Sequence, residues 1–99
     1  MAYNLIWSPV SRDDLRDIVR FISRDSSMRA ESFAYRLITQ MDFLQQHPEL
    51  GRTVPEHRDA TIREIIFKPY RIVYRVDHQR KLVEIARVWH AARGTPKVT

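Results

Sequence analysis

The hydrophobic pattern of this chain changes period once, and that change limits what it can fold into. Leu15, Ile18, Val19 and Ile22 fall at helical spacing, and so do Ala30, Phe33, Ala34, Leu37, Ile38, Met41 and Leu44. From Thr61 onward the pattern alternates instead. Ile62, Glu64 and Ile66 oppose Arg63, Ile65 and Phe67; Tyr70, Ile72, Tyr74 and Val76 oppose Arg71, Val73 and Arg75; a β-rich run, Leu82–Trp89, follows. A period near 3.6 lays one apolar stripe along a helix, whereas a period of two lays one apolar face along a strand. The first half therefore predicts helices and the second predicts strands.

The punctuation sharpens this reading. Tyr3 to Trp7 is a short aromatic and apolar run closed by Ser8-Pro9, which suits a first strand. Ser11 is the expected N-cap of the first helix, with Asp13 and Asp14 in the first turn, and the helix should run to about Arg24. Asp25-Ser26-Ser27 breaks the pattern and can cap a second helix, which should stop near His47-Pro48 because a residue before proline is pushed out of the α region. Residues 48–60 read as a loop, and Lys68-Pro69 and Asp77-His78-Gln79-Arg80 supply turns between antiparallel strands. The expected fold class is α+β in the order β-α-α-β-β-β, a meander covered on one face by a two-helix hairpin. Leu15, Ile18, Ile22, Phe33, Leu37, Ile38, Met41, Ile72 and Tyr74 are the expected core.

Ninety-nine residues at 43% hydrophobic suit one core, so 1–99 is expected to be a single domain. There is no cysteine, which removes disulfides and thiolate metal sites. His47, His57 and His78 match no metal spacing, and with only Gly51 and Gly94 there is no glycine-rich phosphate loop, so no metal and no cofactor is expected. No apolar run approaches the roughly 18 residues of a membrane span, and the first residues lack a signal-peptide layout. A cytoplasmic protein with no membrane partner is the expectation.

Charge is uneven along the chain. Residues 1–50 carry 6 basic and 7 acidic side chains, while residues 51–99 carry 11 and 5. A one-sided basic surface suits a polyanion or an acidic protein partner. Arg71 and Arg75 share a parity opposite to the apolar positions of their strand, and Arg63, Arg87 and Arg93 flank them, so the sheet is expected to gather guanidiniums for nucleic acid or an acidic partner. The alternative is that these arginines pair with neighbours such as Glu64 and Glu84. His90, three residues before Arg93, is a candidate general acid or base, or a residue that bonds a loop carbonyl. Arg16, Arg20 and Arg24 recur along the first helix as a solvated face or a docking stripe.

Several stretches then converge. Trp7-Ser8-Pro9 with Asp14-Leu15 and Ile18, Pro48-Glu49-Leu50-Gly51-Arg52 with Pro55-Glu56, Ile62-Arg63-Glu64, Tyr70-Arg71-Ile72-Val73-Tyr74-Arg75-Val76 and Val88-Trp89-His90-Ala91-Ala92-Arg93 resemble, in order, the RelE/ParE toxins of bacterial toxin–antitoxin operons. The resemblance implies the same β-α-α-β-β-β fold and a growth-inhibiting toxin held by an antitoxin with an acidic, partly disordered segment, in a toxin–antitoxin hetero-oligomer. RelE-like members cleave mRNA on the ribosome, and ParE-like members poison DNA gyrase without a known hydrolytic site. The lysine pair of RelE falls on Ile62 and Glu64, and its C-terminal tyrosine has no counterpart after Tyr74. Other ribonuclease members use histidine, arginine and glutamate, which would assign Glu64, Arg71 and His90 as the catalytic set. The Pro-x-x-Gly-Arg loop and Val-x-His-x-x-Arg ending look more like ParE-type plasmid-stabilisation proteins, which makes gyrase inhibition the favoured expectation and an mRNA interferase the alternative.

Overall fold

The computed structural model describes residues 2–98. Strand β1, Asn4–Trp7, leads into helix α1, Pro9–Ser23, and helix α2, Ser27–Asp42; a 3-10 turn at Phe43–Gln45 ends the helical half. Strands β2 (Arg52–Thr53), β3 (Ile62–Phe67), β4 (Tyr70–Asp77) and β5 (Leu82–His90) follow, with a second 3-10 turn at Ala91–Arg93. The strands lie in the order β1-β5-β4-β3-β2, with β1 parallel to β5 and the rest antiparallel. The predicted α+β order is thus present. It is extended by one strand: β2 pairs with Glu64 and Arg63 inside what reads in the sequence as loop.

Helix α1 begins earlier than its composition suggests. Ser8, not Ser11, is the N-cap: its hydroxyl accepts the Ser11 N–H at 3.0 Å, and Pro9 fills the first helical position, where a missing N–H costs nothing. Asp14 consequently lies beyond the first turn and serves β5 rather than the helix dipole. Past Trp7, β1 no longer covers β5. Ser8 donates its N–H to the Ile85 carbonyl and its hydroxyl to the Ala86 carbonyl, and Asp14 accepts the Val88 N–H at 3.0 Å. Two side chains thereby complete a sheet edge that would otherwise be left open.

The helix pair covers one face of the sheet. Leu37, Met41 and Leu44 of the helical half meet Ile72, Tyr74, Val83 and Ile85, all with no exposed surface, while Phe33 and Val88 close the same cluster. Leu15, Ile18 and Ile22 of α1 pack against it as half-buried residues. Ile38 departs from expectation at 41% exposed. One helical step turns it about 100° from Leu37, which points straight at the sheet, and a stripe of that width does not reach the strands. A β-bulge at Ala86 keeps β5 in step: Val73 pairs with Arg87 but Tyr74 with Ile85, so Ile85 and Val88 both face the helices.

Tyr74 ties this core to the loop before β2. Its hydroxyl donates to the Pro48 carbonyl at 2.9 Å and accepts the Gly51 N–H at 2.8 Å. Burial pushes its pKa up, against the pull of the Gly51 hydrogen bond. Gly51 is required here for space: a Cβ would lie 2.7 Å from the Tyr74 hydroxyl oxygen and closer still to the Glu64 carbonyl oxygen.

Two stability outcomes follow from this packing. Leu37→Ala should lower the unfolding free energy by about 2–5 kcal/mol, read from denaturant midpoints. Gly51→Ala should cost about 1–3 kcal/mol, because the added methyl forces the loop or Tyr74 to move; an unchanged midpoint would show the loop to be looser than its hydrogen bonds indicate.

Candidate functional site

Strand pairing decides which arginines share a face. Arg71, Val73 and Arg75 of β4 stand opposite Ile66, Glu64 and Ile62 of β3, and opposite Trp89, Arg87 and Glu84 of β5. Directly paired residues project to the same side, so these form the face away from the helices. That face is not an open cationic surface. The loop before β3 and the C-terminal residues lie across it: Val54, Ile62 and Val73 make a second small core with Val98 packed on it, and Pro96 is fully buried. The expected gathering of guanidiniums on one sheet surface gives way to a second packed layer, and the alternative holds instead: Arg71 pairs with Glu64 and Arg75 lies beside Glu84.

At its centre sits Glu64, whose side chain has no solvent exposure. One carboxylate oxygen accepts Arg71 Nε, and the other accepts Arg52 Nε at 2.7 Å, with Arg52 Nη2 at 2.6 Å. The Arg71 side chain is 9% exposed and continues outward, its Nη1 donating to the Gly94 carbonyl at 2.7 Å and to the Thr95 hydroxyl at 3.3 Å. Its Nη2 lies 3.6 Å from Glu56 Oε1. Glu56 is held below the usual carboxylate range first by a hydrogen bond from its own backbone N–H, with Thr95, Arg71 and Arg52 adding to it against desolvation. Arg71 is thus a junction of β3, β4, the loop and the C-terminal residues.

The other predicted arginines are also engaged. Arg87 forms a two-point pair with Asp14 at 2.8 and 2.9 Å, which raises its pKa, and it lies over the Trp89 ring at 4.6 Å. Arg93 covers the same ring at 3.9 Å. Arg75 is half-buried with Glu84 at 4.0 Å. Arg63 pairs with Tyr74 and so belongs to the helix-side face, where its Nη1 donates to the Gly51 carbonyl at 2.7 Å. It does not join Arg71 and Arg75.

His90 is likewise on the helix side, opposite Tyr70, whose ring it meets edge-on at 5.4 Å. Its Nδ1 accepts the Ala92 N–H at 3.1 Å and caps the final 3-10 turn. Of the candidate set Glu64, Arg71 and His90, the fold brings together the first two and holds the third on the opposite face. Among the described residues no group of three His, Cys, Asp or Glu side chains is gathered as for a metal ion. Sequence reasoning missed Arg52, Glu56 and Asp14 as partners. The Gly-Arg and Pro-Glu steps of the loop were visible, but their targets depend on a β2–β3 register that a two-residue strand does not announce.

Comparison with known proteins is consistent with this architecture. The profile of a family described as the ParE toxin of the type II toxin–antitoxin system parDE matches residues 5–94. Toxin RelE2 of Caulobacter vibrioides is 38% identical over 90 residues, covering 90% of this chain and 96% of its own. The fold is shared with the chromosomal ParDE system from P. aeruginosa, at a TM-score of 0.72 and 21% identity over 90% of this chain and 96% of that one. It is shared too with the RelBE2 toxin–antitoxin complex from Mycobacterium tuberculosis, at 0.61 and 20% over 91% and 99%. A mutant of E. coli toxin RelE in the free state gives 0.65 and 20% over 95% and 88%. With the profile spanning residues 5–94 and a relative of matching length at 38% identity, the chain belongs to the ParE toxin family of type II toxin–antitoxin systems, within the RelE/ParE superfamily.

Proposed function

We propose that this toxin arrests growth by binding DNA gyrase, in the manner expected of ParE-like members, and not by cutting mRNA on the ribosome. The observation that carries the reading is the state of Glu64 and Arg71: the carboxylate is fully buried with both oxygens engaged by guanidiniums. A general base has to come within about 2.6–3.2 Å of the proton it takes, and no substrate hydroxyl reaches Glu64 without dismantling this layer. His90 stands on the other face of the sheet, with Nδ1 occupied by the Ala92 N–H. The residues that a ribonuclease reading would use are those that hold the fold.

A cognate antitoxin is the second part of the proposal, supported by family membership and by the toxin–antitoxin complex among the structural relatives. Its neutralising segment should be acidic, to suit the excess of 11 basic over 5 acidic side chains in residues 51–99. Both candidate targets are cytoplasmic, and no helix among the described residues is long and apolar enough to cross a membrane.

The test is a paired assay of the purified chain. With gyrase and plasmid DNA it should block supercoiling; with translating ribosomes it should leave mRNA intact. His90→Ala should keep the gyrase effect, at a stability cost of about 1 kcal/mol from the lost cap of the final 3-10 turn. Cleaved mRNA together with unaffected gyrase, and loss of that cleavage in His90→Ala, would replace this reading by the ribonuclease one. Glu64→Gln removes one partner of a buried pair and should cost about 3–5 kcal/mol in urea unfolding, with inhibition falling only as the folded fraction falls.

A further inference from the structure

A second group of polar side chains converges where the start of β1, the turn after α2 and the β4–β5 turn meet. His78 stands between Tyr3 and Glu49: its Nδ1 lies 2.7 Å from the Tyr3 hydroxyl oxygen, and its Nε2 lies 3.2 Å from Glu49 Oε1. His47 lines the same open pocket, of about 510 Å³. A pair as exposed as His78 and Glu49 adds little to stability, so holding the fold does not account for it.

The segments that carry these side chains are pinned through their backbones. The Tyr3 N–H donates to the Gln45 carbonyl at 2.8 Å, and the Asn4 N–H donates to the Lys81 carbonyl at 2.9 Å. The Leu50 N–H closes a four-residue turn on the His47 carbonyl at 3.0 Å, and Tyr74 holds Pro48 and Gly51 on either side of Glu49. In the β4–β5 turn the Arg80 N–H donates to the Asp77 carboxylate at 3.0 Å. Polar side chains on backbone fixed in this way are what a metal ion requires of its ligands.

We propose that His47, Glu49 and His78 bind one zinc ion. Tetrahedral zinc holds imidazole nitrogen and carboxylate oxygen at about 2.0–2.2 Å, which sets two such ligand atoms about 3.3 Å apart. His78 Nε2 and Glu49 Oε1 already stand at 3.2 Å. With Nε2 on the ion, the imidazole proton resides on Nδ1 and is donated to the Tyr3 oxygen, the kind of outer partner that orients a ligating histidine. His47 is the third ligand. As they stand the three are not gathered round one point, because the exposed His47 ring is stacked on Phe43 with centroids 6.3 Å apart, and rotation of that side chain into the pocket completes the set. Water takes the fourth position. The ion ties together three segments remote in sequence, and the inference is independent of the target on which the toxin acts.

The probe is zinc chloride, titrated calorimetrically at neutral pH into the intact, tag-free protein after treatment with a chelator. One ion should bind per chain, with micromolar affinity or tighter. His47→Ala, Glu49→Gln and His78→Ala should each weaken binding by about tenfold or more. Tyr3→Phe keeps every ligand and removes only the outer oxygen, and should weaken it by about 10–100-fold. In the unmutated protein, the ring proton resonances of His47 and His78 should shift as zinc saturates while those of His57 stay in place, a readout that needs no variant to fold. The proposal is overturned by any of four results: no binding tighter than millimolar, binding indifferent to His47→Ala or to His78→Ala, a His47 ring that does not respond to zinc, or Tyr3→Phe binding as tightly as the parent, which leaves an adventitious ion only.

Discussion

Taking a carboxylate out of water is costly, and in a protein interior the cost is offset only by donors held in the right places. Glu64, buried in β3, imposes that requirement on everything around it. Arg71 meets one oxygen from the neighbouring strand, and Arg52 meets the other from β2, its direct cross-strand partner. Once Arg71 is drawn inward, its remaining N–H groups need acceptors of their own, and the Gly94 carbonyl, the Thr95 hydroxyl and Glu56 supply oxygens around them. The loop and the C-terminal residues are positioned by this chain of obligations, and Val54, Ile62, Val73 and Val98 close over what remains apolar.

The helix side is governed by a different constraint, the need to finish backbone pairing where strands of unequal length meet. β1 is four residues long against nine in β5. Beyond Trp7 the carbonyls and N–H groups of β5 turn to Ser8 and Asp14, and the same Asp14 carboxylate fixes Arg87. At the other end of the sheet, Tyr74 reaches out of the core to hold the loop at Pro48 and Gly51. The family-like Trp-Ser-Pro, Asp-Leu and Gly-Arg stretches thus have a common physical content: each supplies a polar group that closes a gap in the sheet or anchors its border.

This distribution bears on function. A fold shared by toxins described as ParE and as RelE does not by itself select a target, since function resides in sites that a fold carries. In this chain the arginines nearest the centre of the sheet are committed to internal partners, Arg71 to Glu64 and Arg87 to Asp14. The basic excess that remains outside is suited to steering an acidic partner toward the molecule.

The sequence alone determined the order of elements apart from β2, the division into helical and sheet halves, and most of the principal core, because those depend on periodicity and on local caps and turns. Phe33, Leu37, Met41, Ile72 and Tyr74 were legible as buried from spacing alone. Tertiary structure decided the rest. Parity separates the two faces of one strand but says nothing about what covers each, so Arg71 reads as exposed although 94–98 and the 54–57 loop bury it. Parity also cannot place Arg63 beside Tyr74, or His90 beside Tyr70, until the register between strands is known. The pairing of Asp14 with Arg87 spans 73 positions in the chain, and a contact at that range has no local signal, because only the folded sheet brings its ends together.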